Sequence, residues 1–333
     1  MSATFQNPVF LGGGDPWMYR VSDRCYYFIR STENNLELYR SETMTSISGA
    51  EHRVLWTPPK EGSCCHNIWA PEIHRINGKW YIYFSADDYK GTEPFDYGIG
   101  DTTRTPHVIE CDSDDPMSGN WVLRGTLGCD PVGIDGTIIQ QGKNLYFVYA
   151  AYQNFPTRRS DLFIYRMESP CKVTGKPVRI CKAEYDWEIS TEDPEWKIVE
   201  GPAALYKNGK IFLSYAANTV WTDEYCIGLL TADENADLMD PASWSKSPEP
   251  IFRQCPESGI YAPGHSSFTT SPDGSETWLV YHMFLAPYDG VHRNRRRDTC
   301  LQKVLWDENN MPYFEKPPAL GTLIPAPSGE DQA

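Results

Sequence analysis

The sequence predicts an all-β protein, a single five-bladed β-propeller running over residues 1–333. Two observations carry that expectation. An aromatic-rich strand introduced by a turn recurs five times along the chain, and no long stretch shows the i, i+3, i+4, i+7 apolar spacing of an amphipathic helix. A third agrees with them: 25 glycines and 26 prolines, about 15% of the chain, suit a turn-rich β-protein better than a helix bundle.

The five segments are Asp23-Arg-Cys-Tyr-Tyr-Phe-Ile, Asn77-Gly-Lys-Trp-Tyr-Ile-Tyr-Phe, Gly142-Lys-Asn-Leu-Tyr-Phe-Val-Tyr, Asn208-Gly-Lys-Ile-Phe-Leu-Ser-Tyr and Asp273-Gly-Ser-Glu-Thr-Trp-Leu-Val-Tyr. Aligned on Tyr26, Tyr81, Tyr146, Phe212 and Trp278, they lie 55, 65, 66 and 66 residues apart. Asn-Gly ahead of an alternating aromatic run reads as a tight hairpin turn entering a strand. A repeat of about 65 residues made only of strands is the size of one four-stranded sheet, and five such sheets around an axis fill the chain. One domain therefore replaces the two that length alone suggests. Thr57-Pro-Pro-Lys and Pro248-Glu-Pro fall inside units on this reading. The rival is a β-sandwich, or two small β-domains, whose strands merely look alike.

Composition excludes several functions. Thirty basic against 45 acidic residues give a net charge of −15, so nucleic acid, which needs a basic face, is not an expected partner. No apolar run reaches the ~18 residues of a membrane-spanning helix. The first residues show no basic stretch followed by an apolar one, so no signal peptide is expected in this chain, and no Asn-x-Ser/Thr acceptor occurs. The ten cysteines, including Cys64-Cys65, contain no C-x-x-C and read as ordinary thiols with at most one bridge. The seven histidines form no H-E-x-x-H or comparable metal spacing; His74 and His282 read as satisfied strand residues.

In a propeller the innermost strand of each sheet lines the axis, so polar residues there converge from distant parts of the chain. Some 11 to 13 residues before four of the aligned aromatics stands a titratable residue beside Gly or Pro: Asp15, Asp135, Glu200 and His265, at steps of 120, 65 and 65. The second unit carries Asn67-Ile-Trp-Ala-Pro-Glu72 at that place. A lone acid beside Gly or Pro is usually a turn former. Four in register with an independent repeat predict an acid–base constellation around one pocket.

The strings Asp15-Pro-Trp-Met, Asn67-Ile-Trp-Ala-Pro-Glu-Ile-His, Gly133-Ile-Asp-Gly-Thr, Val199-Glu-Gly-Pro-Ala and Ala262-Pro-Gly-His-Ser-Ser-Phe, in that order, resemble glycoside hydrolase family 43. The likeness runs from about residue 6 to about residue 317 and is nearest the exo-α-1,5-L-arabinofuranosidase branch. It implies an inverting enzyme releasing α-L-arabinofuranose from arabinan or arabinose-decorated polysaccharides and oligosaccharides, acting as a monomer without a required cofactor. By resemblance Asp15 is the general base, Glu200 the general acid, and Asp135 the acid that raises and orients Glu200. Trp69 lines the sugar pocket, and His265 lies near the axis, facing substrate or contacting a structural calcium or other ion through water. The last blade usually supplies an arginine to a sugar hydroxyl. Counting back from Gln302 and Trp306 favours Arg297 among Arg293, Arg295, Arg296 and Arg297. The alternatives are a β-xylosidase or endo-arabinanase of the same fold and, from another class, a non-catalytic carbohydrate-binding propeller.

Overall fold

The computed structural model describes residues 3–32, 34–88, 103–153, 158–290 and 296–330, and in them the chain is strand with four short 3-10 turns. The all-β expectation is borne out. A short strand β1 (Thr4–Phe5) precedes five sets of four. The first set is β2 (Trp17–Ser22), β3 (Cys25–Ser31), β4 (Leu36–Ser41) and β5 (Glu51–Trp56). The second is β6 (His66–Ile76), β7 (Lys79–Asp87), β8 (Thr105–Cys111) and β9 (Val122–Thr126). The third is β10 (Gly133–Gln141), β11 (Asn144–Tyr152), β12 (Arg159–Ser169) and β13 (Lys172–Cys181), followed by β14 (Lys197–Lys207), β15 (Lys210–Ala217), β16 (Cys226–Asp233) and β17 (Ser245–Lys246). The fifth is β18 (Tyr261–Thr270), β19 (Thr277–Phe284), β20 (Asp298–Trp306) and β21 (Pro312–Tyr313), and β22 (Ile324–Pro325) follows.

Within each set the strands pair antiparallel in chain order, as meanders. The turns are encoded locally. Asn77 and Gly78, and again Asn208 and Gly209, all have positive φ, the backbone that a two-residue hairpin needs at both central positions. The third and fourth sets share one eight-stranded sheet because β12 and β14 pair in parallel at Arg159↔Lys197 and Ser160↔Ile198. The five aligned aromatics all fall on second strands, so the repeat read from the sequence is the repeat of the sheets.

One expectation needs correction. Thr57-Pro-Pro-Lys lies between β5 and β6, and Pro248-Glu-Pro between β17 and β18, so both join one sheet to the next. Proline cannot donate to a ladder, and these crossings are where it costs nothing. No bridge joins the buried thiols of Cys64, Cys111, Cys129, Cys181, Cys226, Cys255 and Cys300.

The core lies between sheets. One apolar cluster joins the first and second sets through Tyr27, Ile29, Trp80 and Ile82; others join second to third, third to fourth, fourth to fifth and fifth to first. The first strands β2, β6, β10, β14 and β18 lie each against the next, and β18 also lies against β2. The chain ends meet as well: β1 pairs with β22, and Asn7 exchanges two 2.9 Å hydrogen bonds with the backbone of Leu301 on β20.

Trp80 is the clearest packing residue of this arrangement. It is 1% exposed, meets the rings of Tyr19 and Tyr27 edge-on at 5.5 Å each, and donates its indole N–H to Asp114 O at 3.1 Å. Trp80→Ala is expected to destabilise the fold by about 3–5 kcal/mol, the usual range for a buried aromatic, measured by denaturant unfolding.

Candidate active site

At one level the backbone turns left-handed, within four of the first strands and two residues before the start of β2. The residues are Asp15, Ala70, Asp135, Gly201 and His265, with φ of 54°, 45°, 55°, 53° and 43°. In β6, β10, β14 and β18 the ladder to the second strand slips at this level, so each carries a β-bulge there. A bulge re-aims the side chain that follows the pleat and bends the strand. Left-handed backbone costs an ordinary residue about 1–2 kcal/mol, and it persists only where surrounding contacts fix it. Here they do. The Asp135 amide donates to Ser85 Oγ at 3.0 Å and the Asp15 amide to His282 Nδ1 at 3.1 Å. Ser85 and His282 occupy the same repeat position, four residues after Tyr81 and Trp278 respectively.

Asp15 is surrounded by cationic and imidazole nitrogen. Arg297 Nη1 donates to its Oδ1 at 2.6 Å, with His265 Nδ1 at 3.2 Å and His282 Nδ1 at 3.5 Å. Burial pushes this carboxyl up, but the Arg297 charge, joined by the two histidines, outweighs it and holds Asp15 at about 2. The neighbouring Gly14 explains itself: a Cβ there would stand 2.6 Å from the Arg297 guanidinium.

Glu200 meets the opposite balance. It sits one residue before the left-handed Gly201, and its Oε1 accepts the Tyr225 hydroxyl at 2.8 Å. Burial and the charge of Asp15 push it up against that bond and against Arg297, leaving it at about 7. Asp135 is raised well above the carboxylate range by burial and then by the charge of Glu200, although Gly201 N–H donates to its Oδ2 at 3.2 Å. Two buried carboxyl groups that repel one another titrate as a pair that resists losing its last proton. His265, whose Nδ1 also lies 3.8 Å from Asp135 Oδ2, is pushed down by burial and stays neutral.

Trp69 lies beneath the Arg104 guanidinium, 3.7 Å from its ring centroid. Arg104 is 1% exposed and donates twice to Asp87 Oδ2, at 3.0 and 2.7 Å, and Asp87 also accepts the Asn67 amide. The platform is thus clamped from behind by a buried ion pair. All six residues singled out by sequence, Asp15, Trp69, Asp135, Glu200, His265 and Arg297, line one cavity of about 360 Å³. A second hollow of about 290 Å³ continues past Asp15 and shares Trp69 and Arg297 with the first. Arg293 and Arg295 lie outside the described residues; Arg296 is engaged by Asp298, at 2.7 and 3.0 Å.

Sequence reasoning missed Arg104, Tyr225 and His282. No motif surrounds the first two, and the chain order gives no hint that they reach the axis. His282 was open to detection, since its repeat position holds Ser85 in the second set and Ala216 in the fourth. The satisfied strand histidine expected there is overturned: with Nδ1 accepting from Asp15, the proton is on Nε2, which has no partner among the described residues. His74 does fit that expectation, with Nε2 2.9 Å from Glu72 Oε2. Among the described residues no group of three or more His, Cys, Asp or Glu side chains is arranged to hold a metal. The donors around His265 are already taken by Arg297 and Gly201, and do not form a direct ligand set for an ion on the axis. Among the described residues no helix is long and apolar enough to cross a membrane.

Known proteins share this sequence and shape. The extracellular exo-α-(1→5)-L-arabinofuranosidase of Streptomyces avermitilis is 34% identical over 330 residues, 96% of this chain and 65% of the relative. The like-named protein of Streptomyces chartreusis is 36% identical over 286 residues, 84% of this chain and 82% of the relative. The chain therefore spans just under two thirds of the length of the first. The crystal structure of α-L-arabinofuranosidase from Lactobacillus brevis superposes with a TM-score of 0.85 at 35% identity, covering 96% of this chain and 98% of that one. The family model described as glycosyl hydrolases family 43 matches residues 5–312, and the chain belongs to that family.

Proposed function

We propose that this protein is an inverting α-L-arabinofuranosidase that releases α-L-arabinofuranose from arabinan or arabinose-decorated polysaccharides and oligosaccharides. The observation that carries the reading is electrostatic. Two carboxyl groups on one cavity are biased in opposite directions, Asp15 to about 2 and Glu200 to about 7, so near neutrality one is a base and the other still holds an acid proton. In the proposed step Asp15 takes a proton from water as its oxygen bonds to the anomeric carbon. The glycosidic C–O bond breaks on the opposite face, and Glu200 gives its proton to the departing oxygen. Asp135 and Glu200 repel one another as a pair, which favours a proton retained between them for Glu200 to give, and Trp69 offers an apolar face to the sugar.

Arg297 has two uses in this scheme: it holds Asp15 ionised and presents N–H donors to a sugar hydroxyl. Relatives named as arabinofuranosidases at 34% and 36% identity support the choice of sugar. Neither the β-xylosidase nor the endo-arabinanase alternative has better support. A binding module without chemistry would have no use for three buried carboxyl groups, each costly to desolvate. We further read residues 1–333 as one unit in which the five sheets close into a five-bladed β-propeller. The contact of β18 with β2, the cluster between fifth and first sets, and the His282–Asp15 bond that repeats Ser85–Asp135 all support closure. One chain supplies every side chain named, so a monomer suffices, and the chemistry calls for no cofactor. An axial ion, if held through water, would have His265 as its protein contact and takes no part in the step.

The scheme has measurable consequences. Proton NMR of the first-formed product from an α-arabinofuranoside is expected to show the β anomer; an α anomer at early times would require a covalent intermediate. Activity (kcat/KM) should fall as pH rises through about 7, where Glu200 loses its proton, while Asp15 remains ionised down to about 2. Asp135→Asn removes one carboxyl group of that repelling pair and should move the alkaline limb to lower pH. Glu200→Ala should lose about 10²–10⁴-fold on arabinan and much less on a nitrophenyl glycoside, whereas Asp15→Ala should lose on both. Trp69→Ala should weaken turnover with little change in melting temperature, unlike Trp80→Ala.

A further inference from the structure

We propose that Tyr225 is a positioning residue that selects which oxygen of Glu200 carries the catalytic proton, an inference that rests on Glu200 being the acid. Tyr225 stands just before β16, is fully buried, and is fixed by two independent packing contacts. Its ring lies parallel to that of His282, at 7° with centroids 5.8 Å apart. It also lies against Gly264 of β18, where a Cβ would come within 2.1 Å of the Tyr225 ring. That clash gives a physical reason for the glycine in Ala262-Pro-Gly-His, which the proposed chemistry does not otherwise use. His282 in turn accepts the Asp15 amide, so Tyr225 shares a wall with the proposed base while touching the proposed acid.

The hydrogen bond has a defined sense. The phenol is held protonated, its ionisation pushed well above the usual range by burial and by the carboxylates of Glu200, Asp15 and Asp135. Its O–H therefore donates to Glu200 Oε1 at 2.8 Å. In a protonated carboxyl group the carbonyl oxygen is the stronger acceptor, so a donor fixed on one oxygen favours the proton on the other. Oε2, without a partner among the described residues, is thereby the oxygen left to face the leaving group. Without Tyr225 the proton can sit on either oxygen and the carboxyl can rotate. The bond also favours the ionised form, so it opposes the burial that keeps Glu200 protonated. The charged and titratable groups around Glu200 are Asp15 and Arg297, Asp135 on β10, His265 on β18, His282 on β19 and Tyr225.

Two effects of opposite value follow from removing the hydroxyl, which a purely structural role would not produce. In Tyr225→Phe the alkaline limb of kcat/KM should move upward by about one pH unit. At the same time kcat on arabino-oligosaccharides should fall about ten- to a hundred-fold, with little loss on a nitrophenyl arabinofuranoside, which departs without a proton. Replacing the Tyr225 ring by 3-fluorotyrosine keeps the packing and makes the phenol a stronger donor; the limb should then move downward. This second replacement serves even if Tyr225→Phe does not fold. Glu200→Gln separates the two ideas. If the alkaline limb survives in Glu200→Gln, the acid assignment and this inference both fail. If the limb is lost there but stays in place in both Tyr225 variants, or both substrates slow equally, only the role of Tyr225 is overturned.

Discussion

The left-handed residue on or just before each first strand is the constraint on which the rest of the site depends. A regular strand alternates its side chains between faces, so a plain ladder would send neighbouring residues to opposite sides with a fixed period. The bulge breaks that period at one level in four of the strands, and the left-handed residue recurs at steps of 55, 65, 66 and 64 residues. At that level the five sheets bring Asp15, Ala70, Asp135, Gly201 and His265 towards one region. Gly201 meets the demand most easily, and Asp and His are among the residues that tolerate it. Ala70 accepts it as a β-strand residue with no polar side chain to offer, which fits the second set's use of Trp69 and Glu72 on either side of that level.

Repetition supplies positions; small departures from it supply chemistry. Asp15 and Asp135 are left-handed themselves, whereas the acid of the fourth set is Glu200, one residue before the left-handed Gly201. That single step, with one more methylene, carries the Glu200 carboxyl to the hydroxyl of Tyr225 and frees the Gly201 amide to donate to Asp135. The fifth set departs too, placing His282 where the second places Ser85. An imidazole reaches further than a hydroxyl and brings a nitrogen near Oδ1 of Asp15 as well as its amide. Identical sheets would give five equivalent groups, and equivalent groups cannot divide the work of acid and base.

Much of this was legible in the sequence, because it is written in periodicities. The aligned aromatics marked the second strands, and the Gly/Pro-bracketed polar residues marked the level of the bulges. The brackets are themselves the signature of unusual backbone, which is why four scattered residues could be placed in one cavity before any contact was known. Arg297 was harder, since four arginines fall within five positions, and its place is fixed by Asp15 across 282 residues of chain. Arg104 and Tyr225 were not legible. Each lies outside the repeat, and each acquires its meaning from a partner, Trp69 or Glu200, that only the folded chain brings near. The prolines misled in a particular way: their distance from a repeat boundary could be counted only after the sheets had defined where each unit starts.

Electrostatics explains why so many polar groups can be buried together without neutralising one another. The site contains three carboxyl groups, and Arg297 is bonded to one of them, Asp15. The two histidines stay neutral, because burial opposes their charging, and so they add donors and acceptors without adding charge. One cation can keep one carboxylate ionised at little cost. The remaining pair, Asp135 and Glu200, must then share the consequence of burial, and the cheapest state near neutrality keeps a proton between them. An arginine placed against that pair would ionise it and leave no acid, whereas Arg104, on the same cavity, is held by Asp87; removal of Arg297 would raise Asp15 and leave no base. The pairing of one cation with one of the three acids is therefore a condition of the proposed chemistry in its own right, separate from where any single residue stands.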